Sequence, residues 1–221
     1  MSGETRWEWE APLPALRRVR PPQIVRPYEG TAATHHPRSR GLRAGDGGLG
    51  RQSEQFGREW TLKGLLDDNE AALAGKATPA PWLGRIQDHH PREEEVFVCA
   101  IGIPAIKRQV SELLASRGAR FTRLIHRSAV VGDNVELGEG VVLCPYAVVS
   151  ANNRLGRGVA INLHSSVDHD ACVDDWTQVN CHCDLTGGVQ VGKEVFFGSS
   201  VAIIPGVRIG DGAYLGAGSW C

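Results

Sequence analysis

From Ile125 to Leu215 every sixth residue is aliphatic or Phe, 16 positions in succession without a slip of register. The column runs Ile125, Val131, Leu137, Leu143, Val149, Leu155, Ile161, Val167, Val173, Val179, Leu185, Val191, Phe197, Ile203, Ile209 and Leu215. An α-helix repeats at about 3.6 residues and a strand at about two, so neither accounts for this spacing. The residue after each member is Gly at 132, 138, 156, 192, 198, 210 and 216, and elsewhere mostly Asn, Asp, Ser or Thr. The residue two before is usually small or Val, as at Ala129, Val141, Ala147, Val159 and Ala171. Such a hexad is the signature of a parallel β-helix. One hexad makes a short strand and a corner, and three make a triangular coil. Each aliphatic side chain then points into a prism, about 4.8 Å from its counterpart in the next coil. The Gly or polar residue that follows is expected at the turn, where unusual backbone angles favour Gly, Asn and Asp. A single coil cannot bury its own interior, so stacking is obligatory.

At 221 residues the chain has room for two modest domains. A net charge of −1 argues against a nucleic-acid partner, which calls for a strongly basic face. No stretch approaches the roughly 18 apolar residues of a membrane span. The opening segment MSGETRWEWEAPLPALRR lacks the apolar core of a signal peptide. Without a secretory signal, the cysteines at 99, 144, 172, 181, 183 and 221 are expected as reduced thiols of a cytoplasmic protein. Cys181 and Cys183 have weak zinc-like spacing, but Cys183 falls on an inward small position of the hexad. Packing is the expected role of these cysteines, and no metal is expected.

The chain divides into three parts. Residues 1–51 hold prolines at 12, 14, 21, 22, 27 and 37, many arginines and no sustained apolar period, a composition expected to be irregular. Residues 52–120 read as a small, incomplete α/β domain of Rossmann type. Trp60 to Leu66 reads as a strand ending at Asp67-Asp68, and Val96 to Ile101 as a buried strand ending at Gly102. Pro104 then opens a helix with Ile106, Val110, Leu113 and Leu114 on one face, stopped by Gly118. These strand–Gly–helix units predict a parallel sheet. A last strand, Phe121 to Ile125, leads into the β-helix of residues 121–221.

Within the hexads, Asn162-Leu-His-Ser-Ser-Val-Asp-His169-Asp170 carries the chemistry. His169 lies two past the inward Val167, hence at a corner, flanked by Asp168 and Asp170. A neighbouring carboxylate strengthens an imidazole as a base. Gly187 falls one coil beyond His169, where a bare N–H faces the same site and can bind a developing oxyanion.

These segments, with GLLDDN (64–69), VFVCAIG (96–102), LIHRSAVVG (124–132), LTGGVQVG (185–192) and IIPGVRIGDGAYLGAGS (203–219), resemble a family of hexapeptide-repeat acetyltransferases. It includes sialic acid O-acetyltransferases and UDP-4-amino-sugar N-acetyltransferases. The resemblance covers about three quarters of the chain. It implies a left-handed β-helix, a homotrimer, acetyl-CoA as co-substrate and a sugar or sugar nucleotide as acceptor. His169 matches the general base and Asp170 its acidic neighbour. Gly187 matches the donor to the thioester carbonyl, and Ser199 and Ala217 match backbone lining the acetyl-CoA groove. Gln178 stands where many relatives have a second, cofactor-contacting His. On the substrate side the matches are Asp67, Asp68, Gly102 and Asn162. Gly47 and Gly48 lie in a run resembling the Gly-rich phosphate loop. The strand that should precede that loop is missing or replaced around Thr34 to Arg40. Relatives also continue into a short capping tail, whereas this chain stops at Cys221 inside a hexad, so truncation or a covering partner is expected there.

Two other readings stay open. γ-Class carbonic anhydrases share the β-helix, and His164, His169 and His182 offer part of a zinc set, although Ser128 stands where the third His is needed. An inactive β-helical scaffold is the other.

Overall fold

The computed structural model describes residues 32–36, 49–69 and 80–221. Gly47 and Gly48 lie outside the described residues. Two sheet systems are present. The first contains β1 (Ala32–His36), β2 (Thr61–Leu66), β3 (Trp82–Gly84), β4 (Val96–Cys99) and β5 (Arg120–Phe121), in the order β3-β2-β1-β4-β5. That follows the first five positions of the doubly wound order 3-2-1-4-5-6, with one difference. β1 runs antiparallel to both neighbours, whereas β2–β3 and β4–β5 pair in parallel. The segment read as irregular thus contributes the central strand, and the expected parallel sheet is mixed. A strand occupies the place read as missing or replaced, in the reverse direction.

The helix α1 spans Pro104–Ser116, with Pro in its first turn. It ends as a Schellman motif: Gly118 has φ +92°, its N–H donates to the Ala115 carbonyl, and the Ala119 N–H donates to that of Leu114. The buried face differs from the apolar stripe in the sequence. Pro104, Lys107, Ser111 and Leu114 are buried, while Ile106 remains 38% exposed. The helix rolls because Lys107 turns inward to the β-helix and Ser111 turns to Cys99 of β4.

The β-helix has three faces of two-residue parallel strands. The first stacks β7 (Val130–Val131), β10 (Val148–Val149), β13 (Ser166–Val167), β16 (Asp184–Leu185) and β19 (Ala202–Ile203). The second stacks β8 (Glu136–Leu137), β11 (Arg154–Leu155), β14 (Cys172–Val173), β17 (Gln190–Val191) and β20 (Arg208–Ile209). The third stacks β6 (Leu124–Ile125), β9 (Val142–Leu143), β12 (Ala160–Ile161), β15 (Gln178–Val179), β18 (Phe196–Phe197) and β21 (Tyr214–Leu215). Register is the predicted one, with Leu137, Leu155, Val173, Val191 and Ile209 in one column. The aliphatic row and the small row two before it form one core, and Cys183 is inside it at 1% exposure. The expected strand Phe121 to Ile125 is two strands, because the chain leaves the first sheet at β5 and enters the prism at β6.

The corners correct one expectation. The residue with positive φ stands three past the inward position, as at Asn134, Tyr146, Asn152, His164, Asp170 and Trp176. The glycines directly after the inward residue have a different cause. A Cβ on Gly198 would sit 2.4 Å from Ala217 N, and one on Gly138 would sit 2.7 Å from Arg157 N. They are glycines because the next coil's backbone passes over them.

The two sheet systems meet on the third face. Lys107 is 1% exposed, and its Nζ donates to the Gly158 carbonyl at 3.0 Å and to Gln178 Oε1 at 2.9 Å. Beside them Arg108 pairs with Glu194 at 2.9 Å. Burial draws the Lys107 ammonium down from 10.5 to about 8. Between those values the unfolded chain binds more protons than the folded one, so this group favours folding increasingly as pH rises. Buried thiols act oppositely: burial pushes Cys144 up to about 12, and Cys99 is also raised. Subtracting a variant isolates the lysine. The urea midpoint of wild type relative to Lys107→Met should rise between pH 7 and pH 10. A constant difference would show that Lys107 does not titrate on unfolding.

Candidate functional site

His169 and Asp170 occupy the corner between β13 and β14. Asp170 takes φ +59°, which turns its carboxylate back along the corner toward the preceding residue. The His169 Nδ1 lies 2.8 Å from Asp170 Oδ2, and both side chains are exposed. The partner is Asp170, while Asp168 precedes the turn. Hydrogen bonds from His169, and then from Asn152, hold the Asp170 carboxyl below its ordinary range. An ionised acceptor at Nδ1 places the ring proton there and leaves Nε2 as the basic nitrogen.

Gly187 lies one coil on, directly over the ring. A Cβ at this position would be 2.8 Å from His169 Cε1 and 2.9 Å from Nε2. Glycine is therefore needed for space, since its φ is not positive. The corner is stitched by the Gly188 N–H donating to the His169 carbonyl at 2.9 Å. Among the described residues no backbone carbonyl accepts the Gly187 N–H. His169 Nε2 and the Gly187 backbone thus stand side by side.

The other residues singled out lie elsewhere. A cleft of about 320 Å³ opens between the first sheet and the third face, lined in part by Gly50, Ile101, Gly102, Cys144, Asn162 and Asn180. Gly102 and Asn162 are together there, and a Cβ on Gly102 would meet nothing within 4 Å, so it faces open space. Asp67 and Asp68 stand at the end of β2 and are held in the loop. Asp67 is 2% exposed and accepts the Asn69 N–H at 2.9 Å, and Asp68 accepts that of Gln87 at 3.2 Å. Neither lines the cleft. Gln178, expected at the cofactor, is 4% exposed, accepts from Lys107 through Oε1 and also lines this cleft. Ser199 and Ala217 are exposed, one coil apart, at the corner between the third and first faces.

This placement has a topological consequence. His169 stands where the first and second faces meet, while the cleft lies on the third. In one chain His169 and the cleft are on opposite sides of the prism.

Sequence reasoning missed Asn152 and Lys107. The Asn152 amide donates to Asp170 Oδ1 at 3.0 Å from one coil below. A count of 18 back from Asp170 would have found it; nothing in the helix pattern pointed to a lysine facing inward. Of the histidines weighed for zinc, His164 and His182 form a stack instead, and His169 is apart from them on Asp170. His164 and His182 lie 5.2 Å apart with parallel rings, and Tyr146 stacks on His164 at 4.9 Å. Among the described residues no three His, Cys, Asp or Glu side chains converge as a metal site would require.

The close approach of Gly187 to the ring is testable. Gly187→Ala should displace His169 and break its bond to Asp170 while changing the thermal midpoint little, because the position is on the surface. A crystal structure with the ring unmoved would show that the gap has more room than the geometry allows.

Known proteins share the fold of this chain. Residues 188–220 match the model for the hexapeptide repeat of succinyl-transferase. The acetyltransferase domain of PglB from Neisseria gonorrhoeae, solved with acetyl coenzyme A, is 30% identical with a TM-score of 0.64. That match covers 69% of this chain and 74% of the other. A mutant perosamine N-acetyltransferase from Caulobacter crescentus, solved with CoA and GDP-perosamine, is 29% identical with a TM-score of 0.61. It covers 64% of this chain and 69% of the other. GDP-perosamine N-acetyltransferase of Escherichia coli O157:H7 is 29% identical over 117 residues, 53% of each chain, so the match spans about half of that curated relative. The solved relatives share the left-handed parallel β-helix. With a solved relative this similar over most of its length, and the period-six prism in common, the chain belongs to the hexapeptide-repeat sugar acetyltransferase family.

Proposed function

We propose that this protein transfers an acetyl group from acetyl-CoA to an amino or hydroxyl group of a sugar, with a nucleotide-linked amino sugar as the preferred class. The observation that carries the reading is the His169–Asp170 pair beneath the Gly187 backbone. The relatives solved with acetyl coenzyme A, and with CoA and GDP-perosamine, support the two substrates.

In this mechanism His169 Nε2 takes a proton from the acceptor as its nitrogen or oxygen adds to the thioester carbonyl. The Gly187 N–H donates to the oxyanion of the tetrahedral intermediate. Collapse breaks the C–S bond, and the proton held by His169 passes to the departing thiolate. Asp170 keeps Nδ1 protonated and stabilises the imidazolium. Residues 52–120 serve the sugar nucleotide, with Gly102 and Asn162 in the cleft, and 121–221 serve the transfer. Asp67 and Asp68 at the end of β2, together with Gly47 and Gly48, complete the sugar-nucleotide side. Because His169 and the cleft are on opposite sides of one prism, the working unit is a homotrimer. There the His169 corner of one copy meets the cleft of its neighbour, and the Ser199–Ala217 corner forms the other wall of the acetyl-CoA groove. Six free cysteines suit a cytoplasmic location, and no helix among the described residues is long and apolar enough to cross a membrane.

The direct test is His169→Ala, assayed by thiol release from acetyl-CoA with a panel of nucleotide-linked amino sugars and sialic acid. Turnover should fall by roughly 10²–10⁴, the worth of a general base. Unchanged turnover in a correctly assembled variant would remove His169 from the mechanism.

A further inference from the structure

The corner that carries Asp170 is built as a ladder. Asn134, Asn152 and Asp170 are spaced one coil apart and have φ of 56°, 58° and 59°. These left-handed angles suit Asn and Asp among residues with side chains, and they aim all three side chains along the same edge. The Asn134 Nδ2 donates to Asn152 Oδ1 at 3.2 Å. The Asn152 Nδ2 donates in turn to Asp170 Oδ1 at 3.0 Å. Asp170 Oδ2 then faces His169 Nδ1 at 2.8 Å. Above Asp170 the column continues as Gly188 and Gly206, which have no side chains. Asn152 is therefore the side-chain donor that fixes the carboxylate from below.

The direction of the ladder matters. An amide can present either its oxygen or its nitrogen upward, and only the nitrogen suits a carboxylate. By donating to Asn152 Oδ1, Asn134 selects the orientation that sends Nδ2 toward Asp170. One carboxylate oxygen is thereby occupied and the other is left to His169.

We propose that Asn152, oriented by Asn134, is a positioning residue for the base: it holds the Asp170 carboxylate so that His169 keeps its proton on Nδ1 and presents Nε2 to the acceptor. The proposal rests on the acetyl-transfer reading for its kinetic consequence, but its structural content, the tautomer of His169, needs no substrate. Asp168 and Asp133 are the other carboxylates near this corner in sequence and column, and they are left unchanged in the test.

Two variants of the full chain separate the rungs. Asn152→Gly accepts the left-handed backbone and deletes both rungs. Asn152→Asp keeps the shape and the acceptor for Asn134 but replaces the upper donor by a second carboxylate. The readout is the ¹⁵N spectrum of the imidazoles at pH 8, with His169 assigned by the signal lost in His169→Gln. Wild type should show His169 with its proton mainly on Nδ1. Both variants should move it toward the Nε2-protonated form that free imidazole side chains prefer. Turnover with acetyl-CoA and an accepted amino sugar should fall about threefold to tenfold, the scale of one exposed hydrogen bond, with KM for acetyl-CoA unchanged. A merely structural role would lower the thermal midpoint and leave the tautomer as in wild type, which would overturn the proposal. So would a wild-type tautomer and turnover in both variants. If His169→Ala retains full turnover, the acetyl-transfer reading fails, while the tautomer measurement still decides the ladder.

Discussion

Every coil of this protein depends on the coil above and below it. Its strands are two residues long, too short to hold a sheet by themselves, and their backbone groups are satisfied by neighbours 18 residues away. The same stacking removes from water the aliphatic column and the small residues beside it. Both requirements are met by one spacing, so a slip of a single residue would expose the column and break the ladders together. That rigidity makes a corner such as His169–Asp170 a dependable place for chemistry, because a side chain there inherits its position from the coils on either side.

Corner geometry supplies the rest of the site. A left-handed residue closes each corner, and its identity decides what the edge can do. Along one edge it is Asn134, Asn152 and Asp170, a polar ladder that ends at His169. Along another it is Tyr146, His164 and His182, an aromatic stack. The same backbone thus carries a hydrogen-bonded edge and a stacked aromatic one, and the difference lies only in side chains placed at one interval. Glycine has two separate functions in this scheme. At 138 and 198 it admits the backbone of the next coil, whereas at 187 it admits the imidazole ring.

The α/β part is coupled to the prism through a polar contact. Lys107 crosses from α1 to Gly158 and Gln178, away from water, where an apolar residue would fit the helix pattern better. It sits beside the cleft that gathers Gly102 and Asn162. Its cost in burial is offset by two hydrogen bonds that an apolar side chain could not make, and these specify one docking of the two parts.

The period-six column determined the prism, its register, the inward place of Cys183 and the corner places of His169 and Gly187, because inward and outward follow from counting along a regular chain. The helix limits were also legible, from Pro104 and Gly118. Tertiary structure decided the remainder. It gave the His169–Asp170 pair its 2.8 Å contact and supplied Asn152 from the coil below. It committed Gln178 to Lys107, reversed β1 within its sheet, and rolled α1 off its apolar stripe. It also set His169 and the cleft on opposite sides of the prism. Each of these depends on contacts between segments far apart in the chain, and a local period specifies which way a residue faces without specifying what it will meet.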